Sequence, residues 1–379
     1  MKKLCIVAPF CSLPDEPYFN RFLYLAEELS SDYDVTLVTS NFRHFDKRFR
    51  QNKLNSNLNF EIVLLEESGY KKNVSFSRLV SHETFFKSFK KWFKSAGSEF
   101  SLFYSAYPLL CTNKFLIKGR PNFNYKVIVD IQDTWPESIS AAFPFISKLP
   151  LSFLPFTAKA NYIYKNADAI ITVSKTYARR VSEVRAVNAP IPVYIGSDFK
   201  ILKEVTAVSL EPGITHLIYI GTLSHSYDLE TVIKAVSERS DYTLHILGGG
   251  PNECYLKSIS KSNIKFYGFM KYDEMIGYLK AADLVVNPIH SYSKGSVTNK
   301  ISDYLSLGKP VLNSQLNLEV MELLNEVEHE NYISGNMESF NSALDSLKNA
   351  KSVCSDLLEK KFDRRVSYIK ITDKIDELI

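Results

Sequence analysis

Short apolar runs rich in β-branched residues alternate with helix-like segments, and this alternation begins twice along the chain. The first series opens with LCIVAP, followed by a helical segment and then by DVTLVT. The second series opens with THLIYI at residues 215–220, after a stretch rich in Pro and Gly. Alternation of strands with helices is typical of parallel sheets. We therefore predict an α/β fold with two successive doubly wound domains.

The chain length is consistent with two domains. Its 379 residues, of which 45% are hydrophobic, exceed what one compact α/β unit usually contains. We predict a first domain over residues 1–195, a second over 196–362, and a final helix over 363–379 that crosses back to the first. The breaker-rich stretch 189–211 is predicted to link the two domains.

Positive charge is concentrated in the first part of the chain. Residues 1–200 contain 27 Lys and Arg against 18 Asp and Glu, whereas the remainder contains 19 against 24. This asymmetry favours different partners for the two domains. A nucleic-acid partner is not expected, because the basic region lacks a recognisable nucleic-acid-reading module.

Cysteine usage and hydropathy predict a cytoplasmic protein. The five cysteines are scattered and no two have CxxC spacing, which is typical of free thiols in a reducing compartment. The opening MKKLCIVAPF is expected to be a strand rather than a leader, because its apolar run is short and no cleavage site follows. No segment reaches the roughly 18–20 apolar residues that a membrane span needs.

The stretch from Ser291 to Ser314 combines a polar loop, a short helix and an apolar strand. Ser296 is predicted to cap the helix, and Gly308 with Pro310 is predicted to end it. The loop follows a buried strand at residues 284–289. A loop that leaves a strand and opens a helix is where α/β sheets bind phosphorylated ligands.

Three polar side chains of this predicted helix share one face. Lys300 and Asp303 are three residues apart, and Asn299 and Asp303 are four apart. We therefore interpret this helix as part of a binding site for a phosphorylated ligand.

Six motifs then follow one another in a characteristic order. They are IQDTWPES, VYIGSDF, YIGTLSHSYDLETVIKA, LHILGGGP, FYGFMKYDEMIGYLKAADLVVNP and SVTNKISDYLSLGKPVL. This ordered set resembles the family 4 glycosyltransferases of the GT-B architecture, especially bacterial enzymes of surface polysaccharide, O-antigen or capsule synthesis. The resemblance is strong over residues 215–315, moderate over 125–200 and weak over 40–120.

The resemblance implies two Rossmann-like domains that face each other across a cleft. It also implies a retaining, metal-independent sugar transfer from a nucleotide-sugar, held mainly by the C-terminal domain, to an acceptor on the N-terminal domain. Four positions depart from the family pattern. Asp303 replaces the usual Glu that contacts the ribose, and Gly295 stands where the family has its first acidic residue. Thr222 and Tyr227 replace a phosphate-binding Arg and Lys, which gives more weight to Lys300 and to backbone amides.

The expected site residues lie mostly in loops after the strands of the second domain. We assign donor contacts to Gly221, Thr222, Leu223, His225, Gly249, His290, Ser296 and Asn299. We assign catalytic roles to Asp133, Lys300 and Asp303. For the glycines the alternative is an ordinary strand-to-helix turn, and for the histidines it is an ordinary surface or hydrogen-bonded position.

Asp133 follows the buried strand VIVDI in the first domain. It either caps the following segment or faces the cleft, where it would orient or deprotonate an acceptor hydroxyl. The Asp32–Asp34 pair, a DxD pattern, is interpreted as a turn into a strand rather than as a metal site.

An aromatic and basic segment at residues 78–94 is the second distinctive feature. It is RLVSHETFFKSFKKWFK, and residues 71–126 around it contain eleven Lys and Arg against two Asp and Glu. One interpretation is a helix on an anionic bilayer, with Phe86, Lys90, Trp92 and Lys94 at the membrane or acceptor. The alternative is an amphipathic helix whose aromatic stripe faces the core.

The sequence thus predicts a retaining glycosyltransferase, peripheral on the inner face of the cell membrane. Its donor would be a nucleotide-sugar, preferably UDP-linked, and its acceptor a lipid-carried saccharide. No metal and no other cofactor are expected. The alternatives are a non-catalytic GT-B subunit that binds a nucleotide-sugar or a partner enzyme, and a GT-B nucleotide-sugar epimerase.

Overall fold

The computed structural model describes all of residues 1–379 except 15, 17–19, 51–57, 73–74, 139–149, 292–296 and 354. The chain divides into two compact units. The first unit comprises residues 1–193 and 368–379, and the second comprises residues 194–367. Each unit is an α/β fold built around one parallel sheet.

The first unit contains a seven-stranded sheet with the order β5-β2-β1-β6-β7-β8-β9, all of its neighbouring pairs being parallel. A short antiparallel hairpin, β3–β4, stands apart from it. The strands are β1 (Lys3–Val7), β2 (Asp34–Ser40), β3 (Phe42–Arg43), β4 (Arg48–Phe49), β5 (Glu61–Leu65), β6 (Leu102–Tyr107), β7 (Lys126–Ile131), β8 (Ala169–Thr172) and β9 (Ile191–Pro192). Their near-continuous apolar sequences match strands covered on both faces.

Helices connect the strands of the first unit. They are α1 (Arg21–Leu29), α2 (Phe76–Ala96), α3 (Leu110–Phe123), α4 (Thr157–Asn166) and α5 (Lys175–Ser182). Helix α5 ends at Ser182, and just beyond it the Arg185 side chain donates to the Tyr164 and Ala167 carbonyls, at 2.7 and 3.0 Å.

Helix α2 faces the core of the first unit with one aromatic stripe. Phe85, Phe89 and Phe93 are spaced four residues apart and are all buried. The spacing puts them on one helical face. Phe93 packs edge-on against Phe115 of α3, with ring centres 5.2 Å apart.

The second unit contains a six-stranded parallel sheet with the order β12-β11-β10-β13-β14-β15. The strands are β10 (Thr215–Ile220), β11 (Tyr242–Leu247), β12 (Ile264–Gly268), β13 (Leu284–Asn287), β14 (Val311–Asn313) and β15 (His329–Asn331). The helices are α6 (Phe199–Glu204), α7 (Leu229–Ser237), α8 (Glu253–Ser258), α9 (Tyr272–Ala281), α10 (Asn299–Ser306), α11 (Leu318–Leu324), α12 (Met337–Ser346), α13 (Asp356–Phe362) and α14 (Arg364–Ser367).

The last helix, α15 (Ile369–Leu378), belongs to the first unit and buries Ile371 and Ile375 in its core. A buried ion pair lies beneath it. Arg21 and Asp130 approach to 3.2 Å with both side chains fully buried. Tyr104 donates a 2.7 Å hydrogen bond to the same carboxylate, and Arg21 donates to the Tyr368 hydroxyl at 3.3 Å. This network ties α1, β6, β7 and the C-terminal segment together.

None of the helices in the described part of the chain has both the length and the apolar character needed to span a bilayer.

Candidate functional site

The strand order of the second unit places a topological switch point between β10 and β13. The chain moves from β10 outward to β11 and β12, then returns to β13 on the other side of β10. The loops that follow β10 and β13 therefore diverge, and the crevice at their carboxyl ends is the usual ligand site of such sheets. Helix α10 comes after the β13 loop and lines this crevice.

Lys300 projects from the first turn of α10 toward the end of β10. Its Nζ donates to the Tyr219 hydroxyl at 3.2 Å and lies 4.3 Å and 3.6 Å from the ring centres of Tyr219 and Tyr227. The residue is only 7% exposed. Burial lowers the pKa of the amine well below its usual value of 10.5. An anionic ligand beside this amine would favour its protonated form, so Lys300 is well placed for a phosphate.

Two glycine turns meet beside this lysine. Gly221 and Gly248 have φ values of 136° and 133°, and a Cβ on Gly248 would lie 2.0 Å from the Gly221 carbonyl oxygen. The Leu223 amide also donates to the Gly249 carbonyl at 3.0 Å. A Cβ on Gly221 would lie 3.3 Å from the Lys300 Nζ. The predicted residues Gly221, Leu223, Gly249 and Lys300 are therefore neighbours, although the Leu223 side chain is buried in the core and only its backbone faces the turn.

Asp303 lies one turn further along α10 and enters a different network. Its Oδ1 accepts hydrogen bonds from Ser197 Oγ and from the Tyr272 hydroxyl, both at 2.7 Å. Burial raises the pKa of this carboxyl, and both hydrogen bonds and the Arg364 guanidinium act against that rise. The sequence places Lys300 and Asp303 on one face, and in the structure both are buried but contact separate partners.

Helix α10 begins at Asn299, so its N-cap position is occupied by Thr298 rather than by the predicted Ser296. Thr298 makes no side-chain capping hydrogen bond. Asn299 is exposed, unlike Lys300 and Asp303, so the predicted shared face does not extend to it. Ser296 and Gly295 lie outside the described residues.

The two predicted donor-site histidines occupy polar loop positions. His225 is exposed, and its Nδ1 lies 3.2 Å from Asn252 Nδ2. The His290 Nδ1 lies 3.0 Å from Ser334 Oγ. Thr222 is exposed in the loop after β10. These three side chains are partly or fully open to solvent around the Lys300 turn.

In the first unit, Asp133 follows β7 at the carboxyl end of the sheet. Its carboxylate accepts hydrogen bonds from Trp135 Nε1, at 3.3 Å, and from Ser138 Oγ. Burial raises the pKa of the Asp133 carboxyl, and the Ser138 hydrogen bond opposes this. A raised pKa is a property of many general bases, although structural carboxylates also have it.

A cavity of about 170 Å³ lies next to Trp135, with His82, Leu109 and Lys159 among its lining residues. The His82 ring stacks on the Trp135 ring with centres 5.4 Å apart and an angle of 18°. Burial and the nearby Arg78 lower the pKa of His82 to about 3, so this imidazole is neutral at physiological pH.

The residues assigned to a membrane or acceptor contact divide into two groups. Phe86 and Trp92 are half-buried and pack on other rings of the unit, Phe86 at 5.9 Å from Phe115. Lys90 and Lys94 are exposed. The core-facing interpretation therefore accounts for the main aromatic stripe of α2, and the lysines form its solvent face.

Sequence reasoning missed Tyr219 and Ser197. Tyr219 presents both a hydroxyl and a ring face to Lys300, yet it reads as an ordinary strand residue in THLIYI. Ser197 belongs to the motif VYIGSDF, which carries the family resemblance, and this motif was the available signal for it.

Comparison with known proteins agrees with this architecture. The sequence model of the family described as "Glycosyl transferases group 1" matches residues 215–349, which is the part of the second unit that contains Lys300 and Asp303. No curated protein matched the sequence.

Solved structures share the fold over the full length. Sucrose-phosphate synthase from Thermosynechococcus elongatus is 15% identical, with 100% of this chain and 99% of that chain covered and a TM-score of 0.74. HepE from Anabaena in complex with UDP is 16% identical, with full coverage of both chains and a TM-score of 0.66. The N-terminal domain of trehalose-6-phosphate phosphatase from Candida albicans is 16% identical, with 100% and 97% coverage and a TM-score of 0.67.

These similarities establish the fold as the GT-B type, with two Rossmann-like domains. Together with the family match over residues 215–349, they support a glycosyltransferase. At these identities the structural likeness shows the fold, whereas the reaction depends on the residues of the site.

Proposed function

We propose that this protein is a retaining glycosyltransferase that uses a nucleotide-sugar donor. The observation that carries the proposal is the buried Lys300 amine, which lies at the sheet switch point beside the Gly221 turn. Negative charge develops on a nucleoside diphosphate as the glycosyl bond breaks. A cation and backbone amides fixed at that position lower the barrier.

The donor is proposed to be UDP-linked. Support comes from HepE, a structural neighbour that binds UDP and UDP-glucose. Asp303 is proposed to hold the ribose hydroxyls. Its carboxylate is already positioned by Ser197 and Tyr272, so a ribose contact would use a preoriented acceptor oxygen. Lys300 supplies the positive charge at the diphosphate, so the proposed reaction uses no metal or other cofactor.

The acceptor is proposed to be a lipid-carried saccharide of bacterial surface polysaccharide synthesis, reached from the inner face of the cell membrane. Asp133 is proposed to orient or deprotonate the acceptor hydroxyl. The exposed lysines of α2, among them Lys90 and Lys94, support a peripheral contact with an anionic bilayer.

The proposal is tested by nucleoside diphosphate release from a panel of nucleotide-sugars, with and without an extract of lipid-linked saccharides. Release is expected with at least one UDP-sugar and is expected to rise when the acceptor extract is added. Absence of release with every donor, from protein that is shown to be folded, would refute the enzyme assignment.

A second candidate is a GT-B subunit that binds a nucleotide-sugar without transferring it. It is favoured by Gly295, which stands where the family has an acidic residue. The fold also occurs in the N-terminal domain of a protein named as a phosphatase. Micromolar binding of UDP without release from any donor would identify this alternative, and a changed sugar stereocentre without transfer would identify an epimerase.

A further inference from the structure

A pocket of about 540 Å³ lies in the first unit. It is lined by the β3–β4 hairpin, the segment 68–72 and the beginning of α2. We call it the hairpin pocket. Its lining residues include three lysines, three serines and three aromatic rings, namely Lys47, Lys71, Lys72, Ser68, Ser75, Ser77, Phe42, Phe49 and Tyr70. Its volume is in the range of about 300–1,000 Å³ that is usual for small-molecule sites.

The hairpin pocket has a basic lining. Among its described lining residues none is a carboxylate. The two acidic side chains closest in sequence also have other partners. Asp46 pairs with Arg43, and the buried Glu67 accepts a 2.6 Å hydrogen bond from Ser81. Both carboxylates still favour the charged form of Lys47, whose amine donates to the His44 carbonyl, so they offset part of the charge of that one lysine.

Two cations, Lys47 of the pocket lining and the neighbouring Arg78, lie near the same ring. The Lys47 Nζ lies 5.0 Å from the Tyr70 ring centre, and the Arg78 guanidinium lies 5.7 Å from the same centre. Burial and the repulsion from Arg78 lower the pKa of Lys47 to about 8. Such an arrangement of like charges becomes favourable when an anion is placed between them.

The aromatic wall has a fixed shape. The Phe42 ring lies 5.3 Å from the Phe49 ring and 5.2 Å from the Tyr70 ring. Gly69 has a φ of 72°, and a Cβ there would lie 2.8 Å from the Phe42 ring. Only glycine therefore leaves this wall undisturbed, and Phe49 remains 49% exposed at its edge.

We infer that the hairpin pocket binds the phosphate-bearing head of the acceptor, with a diphosphate as its best fit. Three ammonium groups match the charge of a diphosphate, and the serine hydroxyls add neutral donors to its oxygens. The exposed ring edge of Phe49 offers an apolar surface to the chain that a lipid carrier attaches to the phosphate. The identity of the ligand as an acceptor rests on the proposed function, whereas diphosphate binding at this pocket does not.

The test is calorimetric titration of the full chain with inorganic pyrophosphate, farnesyl diphosphate and farnesol. The substitution Lys47→Met is expected to weaken binding of both diphosphates by about tenfold or more, the usual consequence of losing one charged hydrogen bond. Lys71→Gln combined with Lys72→Gln is expected to weaken them as well. Lys87→Met, which removes an exposed lysine further along α2, serves as the matched control and is expected to have no effect.

Three results would overturn the inference. One is equal binding by the Lys47→Met and wild-type proteins. A second is pyrophosphate binding that is lost with Lys300→Ala but kept with Lys47→Met, which would move the anion site to the second unit. The third is Lys47-dependent binding to vesicles of phosphatidylcholine with phosphatidylglycerol but not to either soluble diphosphate. That result would assign the pocket to a bilayer surface.

The outcome is separable from that of the proposed function. Nucleoside diphosphate release that persists while no diphosphate binds at the hairpin pocket would refute only this inference. Lys47-dependent diphosphate binding by a protein that releases nothing from any donor would refute only the transferase assignment.

Discussion

Replacing Lys300 by methionine should separate catalysis from stability. Methionine keeps most of the aliphatic chain that packs against Tyr219 and Tyr227 but removes the buried amine. If that amine stabilises charge on the leaving diphosphate, its loss should lower kcat by about 10²–10³, as expected for one preorganised donor in a dry site. The fold should not be harmed.

Although Lys300→Met should lower kcat, it should raise the stability of the folded protein. Because burial lowers the pKa of Lys300, the folded protein opposes protonation of this amine at neutral pH, and each unit of pKa corresponds to about 1.4 kcal/mol. The two ring contacts recover part of this cost. Burying an amine costs stability because the folded chain removes it from water, so we expect an apolar group of similar size to stabilise the protein by about 1 kcal/mol. That corresponds to a rise in Tm of about 2–4 °C for a unit of this size.

The chain offers a matched control in Lys309, another buried lysine of the second unit. Its amine donates to the Lys280 and Ala282 carbonyls at 2.8 and 2.6 Å, so its charge is satisfied by the backbone. Lys309→Met should lower Tm and leave kcat unchanged. Nucleoside diphosphate release and thermal unfolding, measured on both variants, check the argument. A Lys300→Met protein with a lower Tm and wild-type kcat would refute it.

Three further substitutions test other parts of the structure. Asp130→Ala removes the carboxylate that pairs with the buried Arg21 and should lower the free energy of unfolding by about 3–5 kcal/mol, measured by chemical denaturation. A decrease below about 1 kcal/mol would contradict the ion-pair account. Gly248→Ala should lower the free energy of unfolding by about 2–4 kcal/mol, because of backbone strain and a clash with the Gly221 carbonyl. Gly213 has a φ of 82° and no neighbour within 4 Å, so Gly213→Ala should cost about 1 kcal/mol. Equal losses for the two variants would contradict the close approach at Gly248. Asp303→Asn should raise the donor KM. Because burial raises the pKa of the Asp303 carboxyl in the folded state, the variant should be at least as stable as wild type at neutral pH. Any gain in stability should fade as the pH falls toward 3.8, where the wild-type carboxyl is protonated in both states. A gain that grows on acidification would contradict the raised pKa.

The repeating strand–helix pattern made the two parallel sheets predictable. The position of Lys300 beside the end of β10 was also predictable, because the residue lies in the first helical turn after a loop at a strand end; its role stays a prediction. The partners of Asp303 were not, since Ser197 lies 106 residues away and only the folded chain brings the two together. Periodicity identifies an apolar face without identifying what covers it.

The same limit explains the two features of the first unit that the sequence left open. In α2 the aromatic stripe fits a membrane or a core equally well, and only the packing of Phe85, Phe89 and Phe93 decides for the core. The hairpin pocket depends on β3 and β4, which are two residues each. Strands this short carry no alternation that a pattern can detect.

The most direct test of the central claim is a crystal structure of the full chain with UDP. We predict a β-phosphate oxygen within about 3 Å of the Lys300 Nζ, a normal charged hydrogen bond, and ribose hydroxyls at Asp303. Well-ordered UDP that contacts neither residue would contradict the assignment of the donor site.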